Sequence, residues 1–556
     1  MEQRVTIICR AGFWIIGLTL ASLLAYTNRY FINTDGLTYI EMGEGLRTGD
    51  FGKLVNLACS PLYAILLGIA QILLRTTPVT ELPLLKMVNV LCFGLSMAAC
   101  DVWVQRVTRS FQENPPTQSL SIPLYAISTL LYALFLTVAL SWVKIRLVNP
   151  DMLAFACVLA SMTIVLWVRS GAQGYRVFAL LGLVLGIGYV TKTYLLVYSV
   201  VFLTLAALAA GPVKKAIQGI LVATVVLTIV SSPLIGALSY RLGRFSFGEG
   251  GSLAYTSELG AQGTPLHAPR ELYDYPRVLY FHYDKDCTDA MGFDVAHWSL
   301  GLHADFNPAG FLKKIRANLE EFLGSSAWLL GTVGVWLGFL WYRGFVKHPP
   351  WWPLGPGMLC MLAGIAGIGL FVFVHLEMRY IAPFVFLFLG GLIVYPEYRL
   401  STTNQSRYLL GATAVILLVI AAMLVHGTLD QLERGILSKR ERISYQEAFE
   451  ECLRVRDFLT AHAVPMKAEA AVVGRPDLYW ARLAQVRITA RIPDQEAFFR
   501  VQAEKRRAAL EAIREAGVRI VIGKGRRFED LTGEGWVLVP GTRDFFVWLQ
   551  HYREGQ

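Results

Sequence analysis

Eleven apolar runs, each close to the length a helix needs to cross a bilayer, constrain this chain more than any other feature. They centre on residues 11–30, 84–104, 123–142, 152–168, 177–191, 194–211, 217–238, 322–342, 354–375, 380–396 and 408–427. A spanning helix takes about 20 mostly apolar residues, because only a helix of that length satisfies its own backbone groups across the hydrocarbon. Composition agrees: 54% of the 556 residues are hydrophobic and 17% are charged, whereas soluble domains are about 25% charged. These figures exclude one water-soluble domain, a disordered chain and a disulfide scaffold. The expected fold class is a polytopic α-helical membrane protein of about 11 transmembrane helices with a C-terminal soluble α/β domain.

The charge is unevenly spread. Of 41 Asp and Glu, 19 lie in residues 430–556 and 10 in residues 239–320, which leaves 12 for the rest of the chain. The net charge is +10, but residues 430–556 carry only +3 of it. A nucleic-acid binder would gather its excess on a soluble face, so the basic balance speaks for membrane topology and against nucleic acid. The eight cysteines lie mostly in apolar runs and show no CxxC spacing.

Paired basic residues then orient the chain. If residues 60–75 (SPLYAILLGIAQILLR) lie flat in the interface, Arg4/Arg10, Arg106/Arg109, Arg169/Arg176, Lys214/Lys215, Arg343/Lys347 and Arg399/Arg407 share one side. If that segment spans, the last five pairs switch sides and the positive-inside rule is violated throughout. The flat reading makes the N-terminus cytoplasmic. It gathers the loop 31–82, Asp151, Lys192, the loop 239–320, the Glu377/Arg379 corner and the C-terminal domain on the outer side.

Charged residues at membrane depth are costly and mark function. Asp35 follows the first run, with Tyr39 one turn later on the same helix face. Thr34-Asp35-Gly36 also reads as a simple helix N-cap. Ser60-Pro61 opens a second flat helix containing Tyr63, with proline at an early position. Lys144, Arg146 and Asn149-Pro150-Asp151 precede another span, where Asp151 would sit in a first turn that favours an acid. Lys192 lies between two apolar runs, placed either to snorkel or to bind an anion. His375, Glu377, Arg379 and Tyr380 crowd a further helix end.

The ordered set Asp35-x-x-x-Tyr39, Gly49, Ser60-Pro61-Leu62-Tyr63, Arg146…Asp151, Thr191-Lys192 and Arg379-Tyr380 with Pro383 resembles the GT-C glycosyltransferases. It is most similar to the branch of protein O-mannosyltransferases and lipid A aminoarabinose transferases. The resemblance covers residues 1–240 best, the corner at 375–385 less well, and hardly touches 239–320 or 430–556. It implies transfer of a sugar from a polyprenyl-phosphate-linked donor, with inversion, to a hydroxyl of a lipid, glycan or protein acceptor outside a bacterial inner membrane. By position, Asp35 would be the general base. Lys192, Arg379 and Arg146 would hold the donor phosphate, and Asp151, Tyr39, Glu377, Tyr63 and Tyr380 would support them. Cofactor use stays open. A divalent metal has candidate ligands in Asp35, Asp151 and His375, but Gly36 stands where many members carry a second acid. The competing class is a transporter or flippase of a lipid-linked sugar, which tends to show inverted repeats and broken helices at the midplane; no such repeat is evident.

The resulting organisation is a membrane module over 1–240 whose outer loop 31–82 carries two interfacial helices. A long outer loop over 239–320, glycine-rich at its start, would be a lid. Further spans occupy 321–429, and a periplasmic α/β accessory domain occupies 430–556. In that domain a helix near 444–462, strands at AEAAVVG, VRITA, VRIVIG and WVLVP, a short helix at Tyr479-Trp480 and a long helix near 494–516 predict a small parallel sheet. His282, Asp284, Asp286 and Asp289, with nearby aromatics including Tyr283 and Trp298, resemble part of a calcium loop without its glycine and distal glutamate.

Overall fold

Apolar runs of this length fold as helices, and the computed structural model shows them as such. It describes residues 2–113, 123–281, 299–344, 346–347, 354–395, 397–398, 403–436, 443–474 and 478–549. The cluster His282, Asp284, Asp286 and Asp289, with Tyr283 and Trp298, lies outside the described residues, as does Arg399. Among the described residues, seven helices are long and apolar enough to cross a membrane, and five shorter apolar helices accompany them. Apart from Pro61–Leu73, these correspond to the eleven runs read from the sequence. The chain is a multi-pass membrane protein.

The first helices in chain order are α1 (Glu2–Thr27), α2 (Thr34–Thr48), α3 (Pro61–Leu73), α4 (Glu81–Glu113), α5 (Leu124–Val138) and α6 (Asp151–Arg169). They continue as α7 (Tyr175–Thr191), α8 (Tyr194–Ala209), α9 (Val213–Leu242), α10 (Gly250–Leu259), α11 (Pro308–Tyr342), α12 (Pro356–Val372), α13 (Met378–Val394) and α14 (Thr403–Ile436). α6 is the hub. In its apolar stretch 89% of residues are buried inside the protein, against 22% for α1 and α9, which present apolar side chains outward as a lipid-facing perimeter would. Asp151 opens this hub helix and is itself 2% exposed.

Helix α3 does not traverse the bundle. Its 13 residues reach roughly 20 Å at 1.5 Å per residue, short of the ~30 Å hydrocarbon core. Its two flanks return to one end of the protein: Glu44 before it and Glu81 after it both bind Arg482. α3 crosses α2 at paired glycines, where a Cβ on Gly43 would lie 2.8 Å from the Ala64 carbonyl oxygen and 2.9 Å from the Gly68 nitrogen. Gly43→Val is therefore expected to push the helices apart, destabilising the protein by roughly 1–3 kcal/mol. A thermal melt checks this.

The polar islands fold together. The C-terminal region builds α15 (Tyr445–Ala461), α16 (Tyr479–Ala484), α17 (Gln495–Arg500) and α18 (Ala503–Glu515) around a seven-stranded sheet. Its strands are β1 (Arg270–Tyr273), β2 (Val278–Tyr280), β3 (Glu469–Val473), β4 (Arg487–Ile492), β5 (Ile520–Lys524), β6 (Trp536–Leu538) and β7 (Phe545–Leu549). Their order is β1-β2-β4-β3-β5-β7-β6. Only the β4-β3-β5 core is parallel, and the remaining pairings are antiparallel.

This corrects three expectations. The sheet is mixed. The helix near 494–516 is two helices, broken where Gln502 takes an extended conformation. The loop 239–320 is not a structureless lid: its β2 pairs with β4 through Leu279–Arg491 and Tyr280–Ala490, and Val278 is fully buried. The glycine-rich stretch at its start forms α10. Ser444 caps α15 with a capping box, accepting from Glu447 N at 3.1 Å while the Glu447 side chain accepts from Ser444 N at 2.8 Å.

Candidate active site

The site lies at the end of the bundle where α2, α6, α11 and α13 begin or pass. Helix α2 starts at Thr34, so Asp35 stands in its first turn; the N-cap is Asn33, whose side-chain oxygen instead accepts from Val148 N at 2.9 Å. The Asp35 carboxylate is thus free of capping duty. It lies 3.3 Å from Arg379 Nη2 and its side chain is 53% exposed. Tyr39, one turn on, points inward and meets the Tyr63 ring edge-on at 5.4 Å between centroids. The Tyr63 hydroxyl donates to Asn89.

Asp151 is the opposite kind of carboxylate, with a side chain only 1% exposed. Buried charges persist when paired, and Asp151 accepts from Lys192 on one oxygen while Arg379 Nε lies 3.6 Å from the other. Lys192, at the end of α7, also sits 3.7 Å from the Tyr380 ring centroid. Arg379 is the junction: it donates to Glu377, to Asp35 at 3.3 Å and to the Tyr380 hydroxyl at 3.0 Å.

Arg146 arrives by an unusual local route. α5 ends in a π-helical turn over Ala139–Val143, and Lys144 follows at φ +65°. Such π turns recur at functional sites, and a left-handed lysine is strained unless its surroundings hold it. α4 supplies that hold: Asn89 Nδ2 donates to the Ile145 and Leu147 carbonyls, both at 2.8 Å, and Lys86 donates to the Arg146 carbonyl. The Arg146 guanidinium then lies over the Phe31 ring at 5.1 Å and donates to the Tyr445 hydroxyl at 3.2 Å.

These groups border a cavity of about 450 Å³ lined by Asn33, Asp35, Trp142, Lys144, Arg146, Glu321, Glu377 and Arg379, among others. Three cations therefore face three carboxylates. Lys192, Asp151 and Tyr380 stand behind Arg379 and, like the buried Tyr39 and Tyr63, are not in the lining. The sequence reading did not single out Glu321, Trp142 or Asn33 as site residues. Scarcity was the available signal for Glu321, which is one of the 12 acids outside the polar islands.

His375 carries the network outward. Its Nδ1 lies 2.7 Å from Glu258 of α10 and its Nε2 lies 3.5 Å from Glu377, while Lys314 of α11 lies 2.6 Å from the other Glu258 oxygen. The hydrogen bond to Glu377 raises the His375 pKa; burial opposes this and the Glu258 bond reinforces it. Burial pushes Glu377 up, but the His375 hydrogen bond and the Arg379 charge outweigh it and hold its pKa at about 2. A raised folded histidine pKa contributes stability that is complete below the unfolded value and lost as pH rises through the folded value. The depressed Glu377 contribution is present above the unfolded carboxylate value and disappears only as pH falls toward about 2. Hydrogen exchange of α10, corrected for its intrinsic rate, is therefore expected to accelerate as pH rises above the ordinary histidine value of about 6.5 and through the raised folded one. In His375→Gln that dependence should vanish.

The candidate metal ligands do not converge. Asp151 is committed to Lys192 and faces Arg379, both His375 nitrogens are taken by glutamates, and Asp35 faces Arg379. Among the described residues no group of three or more His, Cys, Asp or Glu is placed to hold a metal ion.

No protein-family model matches the chain, and no curated protein is significantly similar to it. Solved structures do match in fold. ArnT from Cupriavidus metallidurans bound to undecaprenyl phosphate superposes with a TM-score of 0.54 at 13% identity, covering 97% of each chain. Its apo form gives 0.55 at 12% identity, covering 97% of this chain and 98% of that one. The oligosaccharyltransferase of Archaeoglobus fulgidus gives 0.46 at 10% identity, over 93% of this chain and 69% of that one. Over 97% of its length, from its first helix to its C-terminal sheet, the chain shares the fold of ArnT from Cupriavidus metallidurans.

Proposed function

We propose that the protein is a glycosyltransferase that moves a sugar from a polyprenyl-phosphate carrier to an acceptor hydroxyl, with inversion. The observation that carries this is Arg379, set between an exposed Asp35 and a buried Asp151 at a cavity that also holds Lys144 and Arg146. Cations positioned where a leaving phosphate develops charge stabilise the transition state without a protonating acid. Asp35 takes the acceptor proton as the acceptor oxygen bonds to the anomeric carbon. The bond from that carbon to the phosphate oxygen breaks, and polyprenyl phosphate leaves as an anion held by Arg379 and Arg146. A single essential carboxylate is enough for this displacement, unlike the close pair of a retaining glycosidase. Lys192 acts on the donor phosphate from behind, through Asp151 and Arg379. Glu377, Tyr380, Tyr39 and Tyr63 keep the walls in place.

The site then faces the periplasm of a bacterial inner membrane, with the N-terminus cytoplasmic. The paired basic residues support this orientation. Reconstitution into vesicles with a polyprenyl-phosphate-sugar fraction separates the proposal from lipid flipping. Transfer releases the sugar from its carrier onto the acceptor. If the sugar changes leaflet still attached to its lipid, the flippase is the correct reading.

A further inference from the structure

We propose that Glu321 is a specificity-determining residue of this cavity, accepting hydrogen bonds from ring hydroxyl groups of the transferred sugar. The inference rests on the functional reading above.

Lys314, Asn318 and Glu321 fall four and three residues apart on α11, so they share one face. The first two fix that face against the site. Lys314 pairs with Glu258 at 2.6 Å. Asn318, 1% exposed, donates to the Val372 carbonyl at 2.9 Å, which pins α11 against the end of α12 just before the Glu377 corner. Glu321 comes next along this face and lines the cavity.

Its carboxylate is uncommitted. On its own helix the positions three and four residues away are Ala317, Asn318, Gly324 and Ser325, and none is a cation. Glu320, by contrast, pairs with Arg316 at 2.8 Å. Among the described residues Glu321 has no ion pair or hydrogen bond. The other two carboxylates of the cavity are engaged, Asp35 by Arg379 and Glu377 by His375 and Arg379.

The chemistry of the donor divides accordingly. Its phosphate calls for the three cations. Its sugar presents neutral hydroxyl donors, and the uncommitted paired acceptor in the lining is Glu321, whose two oxygens can receive neighbouring hydroxyls. Trp142 lines the same cavity and offers an apolar ring for the sugar face. A few placed polar groups on an otherwise nonspecific wall are how small-molecule sites set orientation and selectivity.

The test measures binding to full-length protein in nanodiscs. The probes are undecaprenyl phosphate alone and undecaprenyl phosphate carrying glucose, mannose, galactose or arabinose. Wild type should bind at least one sugar lipid more tightly than the bare lipid. Glu321→Ala should lose about tenfold in that affinity and stay within about twofold for the bare lipid, which serves as the folding control. Glu321→Gln, which keeps one acceptor oxygen, should fall between. Unchanged sugar-lipid affinities in Glu321→Ala overturn the inference, as does a wild type that gains nothing from any sugar. Failure of wild type to bind undecaprenyl phosphate at all is a different result: it contradicts the functional reading itself, and this inference with it.

Discussion

Asp35→Asn is expected to remove transfer, lowering turnover by about 10²–10⁴-fold, the usual contribution of a positioned general base. Folding and donor binding should survive. The Asp35 side chain is 53% exposed, and among the described residues its ion pair is to Arg379 at 3.3 Å. An asparagine oxygen still accepts from that guanidinium, and Glu377 and Asp151 hold Arg379 in any case. What disappears is the basic oxygen facing the cavity. Asp151→Asn makes a useful contrast. That carboxylate is 1% exposed and lies against Lys192, so its loss leaves a buried cation uncompensated and should lower the melting temperature. Turnover by a stable, donor-binding Asp35→Asn protein at the wild-type rate would end the general-base assignment.

Arg482→Ala should give the largest loss of stability, about 3–5 kcal/mol, the usual result of breaking a buried pair by removing one partner. The side chain is 8% exposed. It lies 2.5 Å from Glu81, 3.1 Å from Glu44 and 3.9 Å from Glu41. Removing it strands Glu81, itself 2% exposed, beside two further carboxylates. Tyr479 would then hold the interface with hydrogen bonds to the Pro78 carbonyl at 2.7 Å and to Glu81 at 2.8 Å. The stacked Tyr30 and Phe449 rings, 4.6 Å apart, would remain as well. Limited proteolysis should cut more readily between the loosened C-terminal domain and the membrane helices, and the melting transition should shift down. Because Glu44 belongs to α2, the helix that carries Asp35, transfer should also fall. An unchanged melt would mean that the remaining contacts dock the domain without Arg482.

Much of the fold was legible because hydropathy is a local property. Each spanning helix announces itself within its own twenty or so residues, whatever it packs against. The short α3 was harder, and paired arginines and lysines decided it by their sidedness. Several site residues were visible for a related reason: Asp35, Asp151, Lys192, Glu377 and Arg379 are charges at helix ends in a chain that spends few charges there. Their partners were not visible. Nothing near Lys192 says that its ammonium belongs to Asp151, or that Glu258 of the outer loop reaches His375. The strands β1 and β2 span only four and three residues and become strands by pairing with a sheet made mostly from the far end of the chain. β7 was missed for the same reason, since FFVWL is a short apolar run that takes its identity from β5 and β6. The backbone that follows Lys144 likewise takes its hold from Asn89 and Lys86, which belong to another helix.

The central claim is that this cavity serves a polyprenyl-phosphate sugar, and the lipid bound to the purified protein tests it most directly. Native mass spectrometry of the Asp35→Asn protein, which should bind donor without consuming it, is expected to show a polyprenyl phosphate carrying one sugar. Arg379→Ala should release that lipid. Bulk phospholipid alone, retained equally by both variants, would contradict the account.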